Sequence, residues 1–175
     1  MKSLFLWIIF LININSQWEW RGNNLPVFQS QGWTLDAYDS LNAVISIIPQ
    51  EPPSGQTLFI TKDGGKNWEF SSLGVTRWFV DVSMVTPEKI WVCSPLQHNE
   101  IWATTNGGLT WEMQFDANSL TQFFNYIEMF DSLNGIAMGD SPDSLKPALF
   151  LKTTNGGKNW IETNQNFING ASADV

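Results

Sequence analysis

Thr153-Thr154-Asn155-Gly156-Gly157-Lys158-Asn159-Trp160 is the third occurrence of one phrase, which also stands at residues 61–68 and 104–111. Reduced to its shared letters it reads Thr-x-(Asp/Asn)-x-Gly-x-x-Trp. The positions are Thr61, Asp63, Gly65 and Trp68, then Thr104, Asn106, Gly108 and Trp111, then Thr153, Asn155, Gly157 and Trp160. Apolar residues precede each copy and alternation follows it, so each copy is the turn of a β-hairpin. An Asp or Asn side chain can accept backbone N–H groups one or two residues on, and Gly reaches positive φ without a Cβ clash. The Thr hydroxyl can add a local bond, while the Trp ring buries against the sheet. None of these roles involves a substrate, and the chain reads as a repeat protein.

The spacing of the repeat sets the architecture. Trp33, Trp78 and Phe124 open successive units 45 and 46 residues apart, a period that fits four-stranded propeller blades of about 40 to 50 residues. The units run over residues 33–70, 78–115 and 124–162. A second turn, Asp39-Ser40-Leu41-Asn42, returns word for word as Asp131-Ser132-Leu133-Asn134. No stretch sustains a 3.6-residue period, so the expected fold is nearly all β. Residues 170–175 read as the start of a further unit. Three blades do not fill a ring, because propellers close with about four to eight. The expectation is a fragment of a six- or seven-bladed ring, and the alternative is that copies assemble to complete one.

Composition narrows the partners. A chain of 175 residues with ten Trp and twelve Phe can build a substantial core. With net charge −8 and only 15% charged residues, it is unsuited to nucleic acid or an anionic membrane surface. Cys93 and His98 are each the sole residue of their type, which excludes an internal disulfide, a cysteine-rich metal site and a multi-histidine one. At the N-terminus, Met1-Lys2-Ser3 is followed by an apolar run over residues 4–12 and a polar stretch over 13–17. That layout predicts a cleaved secretory signal over residues 1–16, with no membrane anchor, and a secreted, extracellular or periplasmic protein. Trp18-Glu19-Trp20 repeats the Trp-Glu that follows two of the turns, and reads as a strand donated to close a ring.

The repeated phrase resembles the Asp-box of sialidases, sortilin-type receptors, xyloglucanase-type glycoside hydrolases and photosystem II stability/assembly-factor-like propellers. Over residues 18–162 the likeness is greatest to secreted bacterial proteins of the last type, on phrases such as Phe130-Asp131-Ser132-Leu133-Asn134-Gly135-Ile136-Ala137-Met138-Gly139-Asp140 followed by an Asp-box. The resemblance implies a β-propeller in which the box is the turn between the third and fourth strands, structural in all twelve of the positions named above. It also implies a binding or scaffolding module with a protein or glycan partner, and no cofactor.

In such a ring, ligands approach the face opposite the boxes, which here carries Arg77, His98, Asp140 and Asp143, with Glu51, Glu100 and Asp116. Asp140 and Asp143 could serve as the paired carboxylates of a glycoside hydrolase, or be turn chemistry in Gly139-Asp140-Ser141-Pro142-Asp143. The sialidase arginine triad cannot be built from Arg21 and Arg77 alone. No metal is expected, since two of the three boxes carry Asn and none matches a calcium loop. Trp33, Trp78 and Phe124 could form a glycan-stacking row, but their repeat-equivalent places predict core packing.

Overall fold

The structure is a computed structural model and describes residues 24–25, 30–49, 57–95, 98–117, 120–121 and 123–163. The leader at 1–16, the expected strand at 18–20, Glu51, and the 170–175 segment lie outside the described residues. What is described is all β, in three four-stranded antiparallel meanders. The first blade comprises β1 (Ser30–Ala37), β2 (Ala43–Pro49), β3 (Leu58–Thr61) and β4 (Glu69–Phe70). The second comprises β5 (Asp81–Met84), β6 (Ile90–Cys93), β7 (Glu100–Thr104) and β8 (Glu112–Asp116), and the third β9 (Phe124–Met129), β10 (Gly135–Gly139), β11 (Leu149–Thr153) and β12 (Ile161–Glu162). Strand order follows chain order in every sheet, as short hairpin turns require.

Each eight-residue phrase is the turn between the third and fourth strands, and its chemistry is the same three times. Thr61 Oγ1 accepts the Gly65 N–H at 2.9 Å and donates to Asp63 Oδ1, which accepts the Asn67 N–H at 2.9 Å. Thr104 with Gly108 and Asn106, and Thr153 with Gly157 and Asn155, repeat this at 3.0 and 2.9 Å. Both glycines of each phrase have positive φ, for instance Gly107 at 68° and Gly108 at 83°, where a Cβ would be strained. The turn joining the first two strands docks on the same edge: the Gly64, Gly107 and Gly156 N–H groups donate to Leu41, Glu88 and Leu133 carbonyls at 2.9, 3.0 and 2.8 Å.

The blades stack by alternate residues, because successive side chains on a strand leave opposite faces. Val44, Leu58 and Ile60 of the first blade meet Phe79, Val82, Met84, Ile90 and Val92 of the second. The opposite face of the second blade, with Trp91, Cys93, Ile101 and Ala103, meets Ile127, Met129, Ala137, Leu149 and Leu151 of the third. Fully burying a side chain such as Phe79 or Phe124 contributes roughly 1.5–3 kcal/mol. Polar groups fix the register of each seam. Along the inner strands, Asp36 Oδ2 accepts the Met84 N–H at 2.6 Å, Asp81 Oδ2 the Ile127 N–H at 2.9 Å and Ser83 Oγ the Met129 N–H at 3.0 Å. Near the turns, Ser71 Oγ accepts the Trp111 indole N–H at 2.9 Å and donates to the Gly108 carbonyl at 2.6 Å.

Pairing registers correct the unit alignment. Ala37, Met84 and Met129 occupy one position, each paired with the first residue of the following strand. Counting back along the strands sets Phe124 against Phe79, both buried, rather than against Trp78. Trp33 stands in a bulge, where the β1–β2 register shifts between Gly32 and Thr34. An extra residue in a bulge leaves the ladder and points its side chain away from it. Trp33 and Trp78 are therefore 51% and 50% exposed while Phe124 is fully buried, and the expected core row holds only at Phe124.

Candidate functional site

All three repeated phrases lie at one edge of the stack, so the opposite edge carries the connections from β2 to β3, β6 to β7 and β10 to β11, and those between blades. Arg77, Trp78, His98, Asp140 and Asp143 all fall on these connections. The geometry divides them into two groups.

Arg77 and His98 belong together, around a glutamate. Arg77 Nε lies 3.0 Å from Glu100 Oε2, and the side chains are only 17% and 10% exposed. The Arg77 Nη2 group donates to Oε1 of the same carboxylate at 3.4 Å, giving a forked pair. Trp102, two residues along β7 and on the same face, donates its indole N–H to Glu100 Oε2 at 2.7 Å. Thr57 Oγ1, at the start of β3, holds the Arg77 carbonyl at 2.7 Å. Arg77 thus bridges two blades, its backbone tied to the first and its guanidinium to the second. Burial pushes the Glu100 carboxyl up, but the hydrogen bonds from Arg77 and Trp102 and the positive charges of Arg77 and His98 outweigh it and hold the group below its ordinary value. His98 is exposed beside this pair, and Trp78 is next to Arg77 in the chain.

Asp140 and Asp143, the second group, are held separately, Asp140 against residues 123 and 125 at the start of the neighbouring strand and Asp143 within its own turn. Asp140 accepts Asn125 Nδ2 at 2.7 Å, and its N–H donates to the Phe123 carbonyl at 2.7 Å. Asp143 Oδ1 accepts the Leu145 N–H at 2.8 Å, with Lys146 Nζ at 3.9 Å from Oδ2. Next to this turn, Leu120, Pro142, Lys146, Pro147, Leu149 and Glu162 line a cleft of about 110 Å³. Small-molecule pockets run to roughly 300–1,000 Å³, so the cleft has room for little more than one side chain. Among the described residues, no group of three His, Cys, Asp or Glu side chains is placed to hold a metal ion. Cys93 is buried in the second seam, and burial pushes its thiol well above the ordinary range.

Trp102 is the participant the sequence reading missed. The alternation Glu100-Ile101-Trp102 puts residues 100 and 102 on one face, which was the available signal, but only the stacked blades show what that face meets.

No family model and no curated protein sequence matches this chain. Solved structures do. The structure of YCF48 bound to D1 peptide superposes with a TM-score of 0.63 at 20% identity, over 83% of this chain and 43% of that one. YCF48 from Cyanidioschyzon merolae gives 0.59 at 20% identity, over 79% and 38%. An ancestral GH74 enzyme gives 0.61 at 14% identity, over 86% and 20%. These likenesses and the three stacked meanders define the class, a segment of a β-propeller. The chain spans less than half the length of each of these neighbours. No helix among the described residues is long and apolar enough to cross a membrane.

Proposed function

We propose that this chain is part of an exported, non-catalytic propeller that binds a protein partner across the edge opposite the repeated turns. The observation that carries this reading is the exposure of Trp78, next in the chain to Arg77 of the half-buried Arg77–Glu100–Trp102 cluster. An exposed tryptophan next to a fixed charge pair is the kind of anchor that protein interfaces favour. The neighbour solved with a D1 peptide supports a peptide-binding use of this fold. The GH74 neighbours favour a second reading, part of a carbohydrate-active hydrolase; the fixing of the Asp140 carboxylate by Asn125 and of Asp143 by its own turn argues for the first.

A library of extended peptides, titrated against the chain by tryptophan fluorescence, tests the proposal against a parallel titration with xyloglucan oligosaccharides. We expect peptide binding that weakens at least about tenfold in Trp78→Ser, the loss typical of an interface anchor. Oligosaccharide binding or hydrolysis with no peptide binding would overturn it in favour of the hydrolase.

A further inference from the structure

One carboxylate is shared by all three blades. Asp81 lies on β5, the inner strand of the second blade, and its two oxygens bond to the inner strands on either side. Oδ1 accepts the Thr34 hydroxyl of β1 at 3.0 Å, and Oδ2 accepts the Ile127 N–H of β9 at 2.9 Å. Thr34, Asp81 and Tyr126 pair with Ser46, Cys93 and Met138, each the fourth residue of the following strand, so the three occupy one position in their blades. Only the second blade puts an acid there.

The charges that act on Asp81 are of its own sign. Asp36 stands on β1 and Glu128 on β9; the other titratable groups coupled to it are the Cys93 thiol across the β5–β6 ladder and the Tyr126 hydroxyl on β9, both held neutral near pH 7. Among the described residues the ion pairs are Arg77–Glu100 and Lys146–Asp143, both at the edge opposite the repeated turns, and no cationic side chain lies within ion-pair distance of Asp81. Burial pushes the Asp81 carboxyl above its ordinary 3.8, and the Asp36 charge adds to this against the bonds from Ile127 and Thr34. Burial, then the charges of Asp36 and Asp81, push Glu128 up in the same way.

Both cross-blade bonds survive protonation. A protonated carboxyl keeps one oxygen to accept the Ile127 N–H, and its O–H can turn to the Thr34 oxygen, because a hydroxyl both donates and accepts. A proton taken up from solvent thus removes a half-buried, repelled charge and breaks neither bond.

We infer that Asp81 is a pH-sensitive clasp between the blades, protonated and tight at mildly acid pH, ionised and looser near neutrality. A carboxyl held above its ordinary value binds its proton more tightly in the folded chain than in the unfolded one. Stability therefore falls as pH rises from the ordinary value through the folded one, and is level above it. Glu100, held low by Arg77, works in the opposite sense. The clasp does not rest on peptide binding at the edge opposite the turns, so either reading can fail alone.

Two measurements on the full chain test this. In the unsubstituted chain, the side-chain carboxyl carbons are titrated by nuclear magnetic resonance. Asp81 should titrate above Asp131, an exposed acid that Asn134 and the Leu133 N–H hold below its ordinary value. In urea unfolding read by tryptophan fluorescence from about pH 7.5 down to about pH 5, a range in which Glu100 stays ionised, the midpoint should rise with acid. Asp81→Asn can keep both bonds, its amide donating to Thr34 and its oxygen accepting from Ile127. It should start from a higher midpoint at neutral pH and rise less on acidification. Asp81 titrating at or below Asp131 would overturn the inference. So would Asp81→Asn with a lower midpoint at neutral pH, or with the same rise as the unsubstituted chain.

Discussion

Gly108→Ala isolates what the seam between the first two blades contributes. Gly74 supplies the control, because its φ of +74° is similar and a Cβ built there meets nothing within 4 Å. Alanine at Gly74 should thus cost only the strain of a left-handed residue, about 1–2 kcal/mol. At Gly108 the φ is +83°, and the added Cβ lands 2.5 Å from Ile60 Cδ1 and 2.5 Å from Ser71 Oγ, both on the first blade. Overpacking of this kind adds about 1–3 kcal/mol. If Ser71 moves aside, its bonds to the Trp111 indole and the Gly108 carbonyl weaken, for about 1 kcal/mol more. Gly108→Ala should therefore exceed Gly74→Ala by about 2–4 kcal/mol. Urea unfolding followed by tryptophan fluorescence reads the difference as a midpoint shift of about 1–2 M at constant slope. Equal costs for the two substitutions would mean that the second turn does not dock in the seam, and the stacking described here would be wrong.

The other expectations use the same repeat as an internal control. Trp111 donates its indole N–H to Ser71, whereas the buried Trp160 N–H has no partner among the described residues, so Trp111→Phe should be costlier than Trp160→Phe by about 1 kcal/mol in the same unfolding assay. Asp63→Asn should be nearly neutral and leave ligand binding unchanged, because the other two turns already use Asn; a loss of metal or ligand affinity at unchanged stability would refute the structural role. Removing the Glu100 charge with Glu100→Gln leaves the buried Arg77 guanidinium without its counter-charge, and should cost about 1–3 kcal/mol near neutral pH. Glu100 has a folded-state pKa below its ordinary 4.5, so its stabilisation is present above that value and is lost as pH falls through the folded pKa. The gap between the unsubstituted chain and Glu100→Gln should accordingly close as pH falls below the ordinary glutamate range, and a gap independent of pH would remove the ion pair as its cause.

The parts of the fold that could be read from the chain are those whose causes are local. The Thr–Asx–Gly turns are closed by residues at most four apart, so the eight-letter phrase contains its own explanation. Strand identity followed from β-branched and aromatic runs such as Val44 to Ile48. What escaped depends on residues far apart in sequence. The bulge at Trp33 breaks the even count along β1, and with it the assumption that Trp33 and Trp78 are core positions. Topology puts Arg77 on the edge opposite the repeated turns, but its pairing with Glu100 and Trp102 depends on the first blade holding the Arg77 carbonyl through Thr57. The carboxylates of Asp36 and Asp81 gave no sequence signal at all, since their partners are N–H groups on the next blade, 48 and 46 residues away.

The meander order has a kinetic consequence. Within each sheet every strand pairs only with its neighbours in the chain, and each seam joins only consecutive units. Such a molecule has low contact order for an all-β protein, because no strand waits for a distant partner. Its cooperativity is that of a one-dimensional array, in which a formed unit is the template for the next and growth can begin at any of them. Hydrogen exchange should then show the second blade, flanked on both sides, as the slowest to open, and protection should decay outward toward both ends of the array.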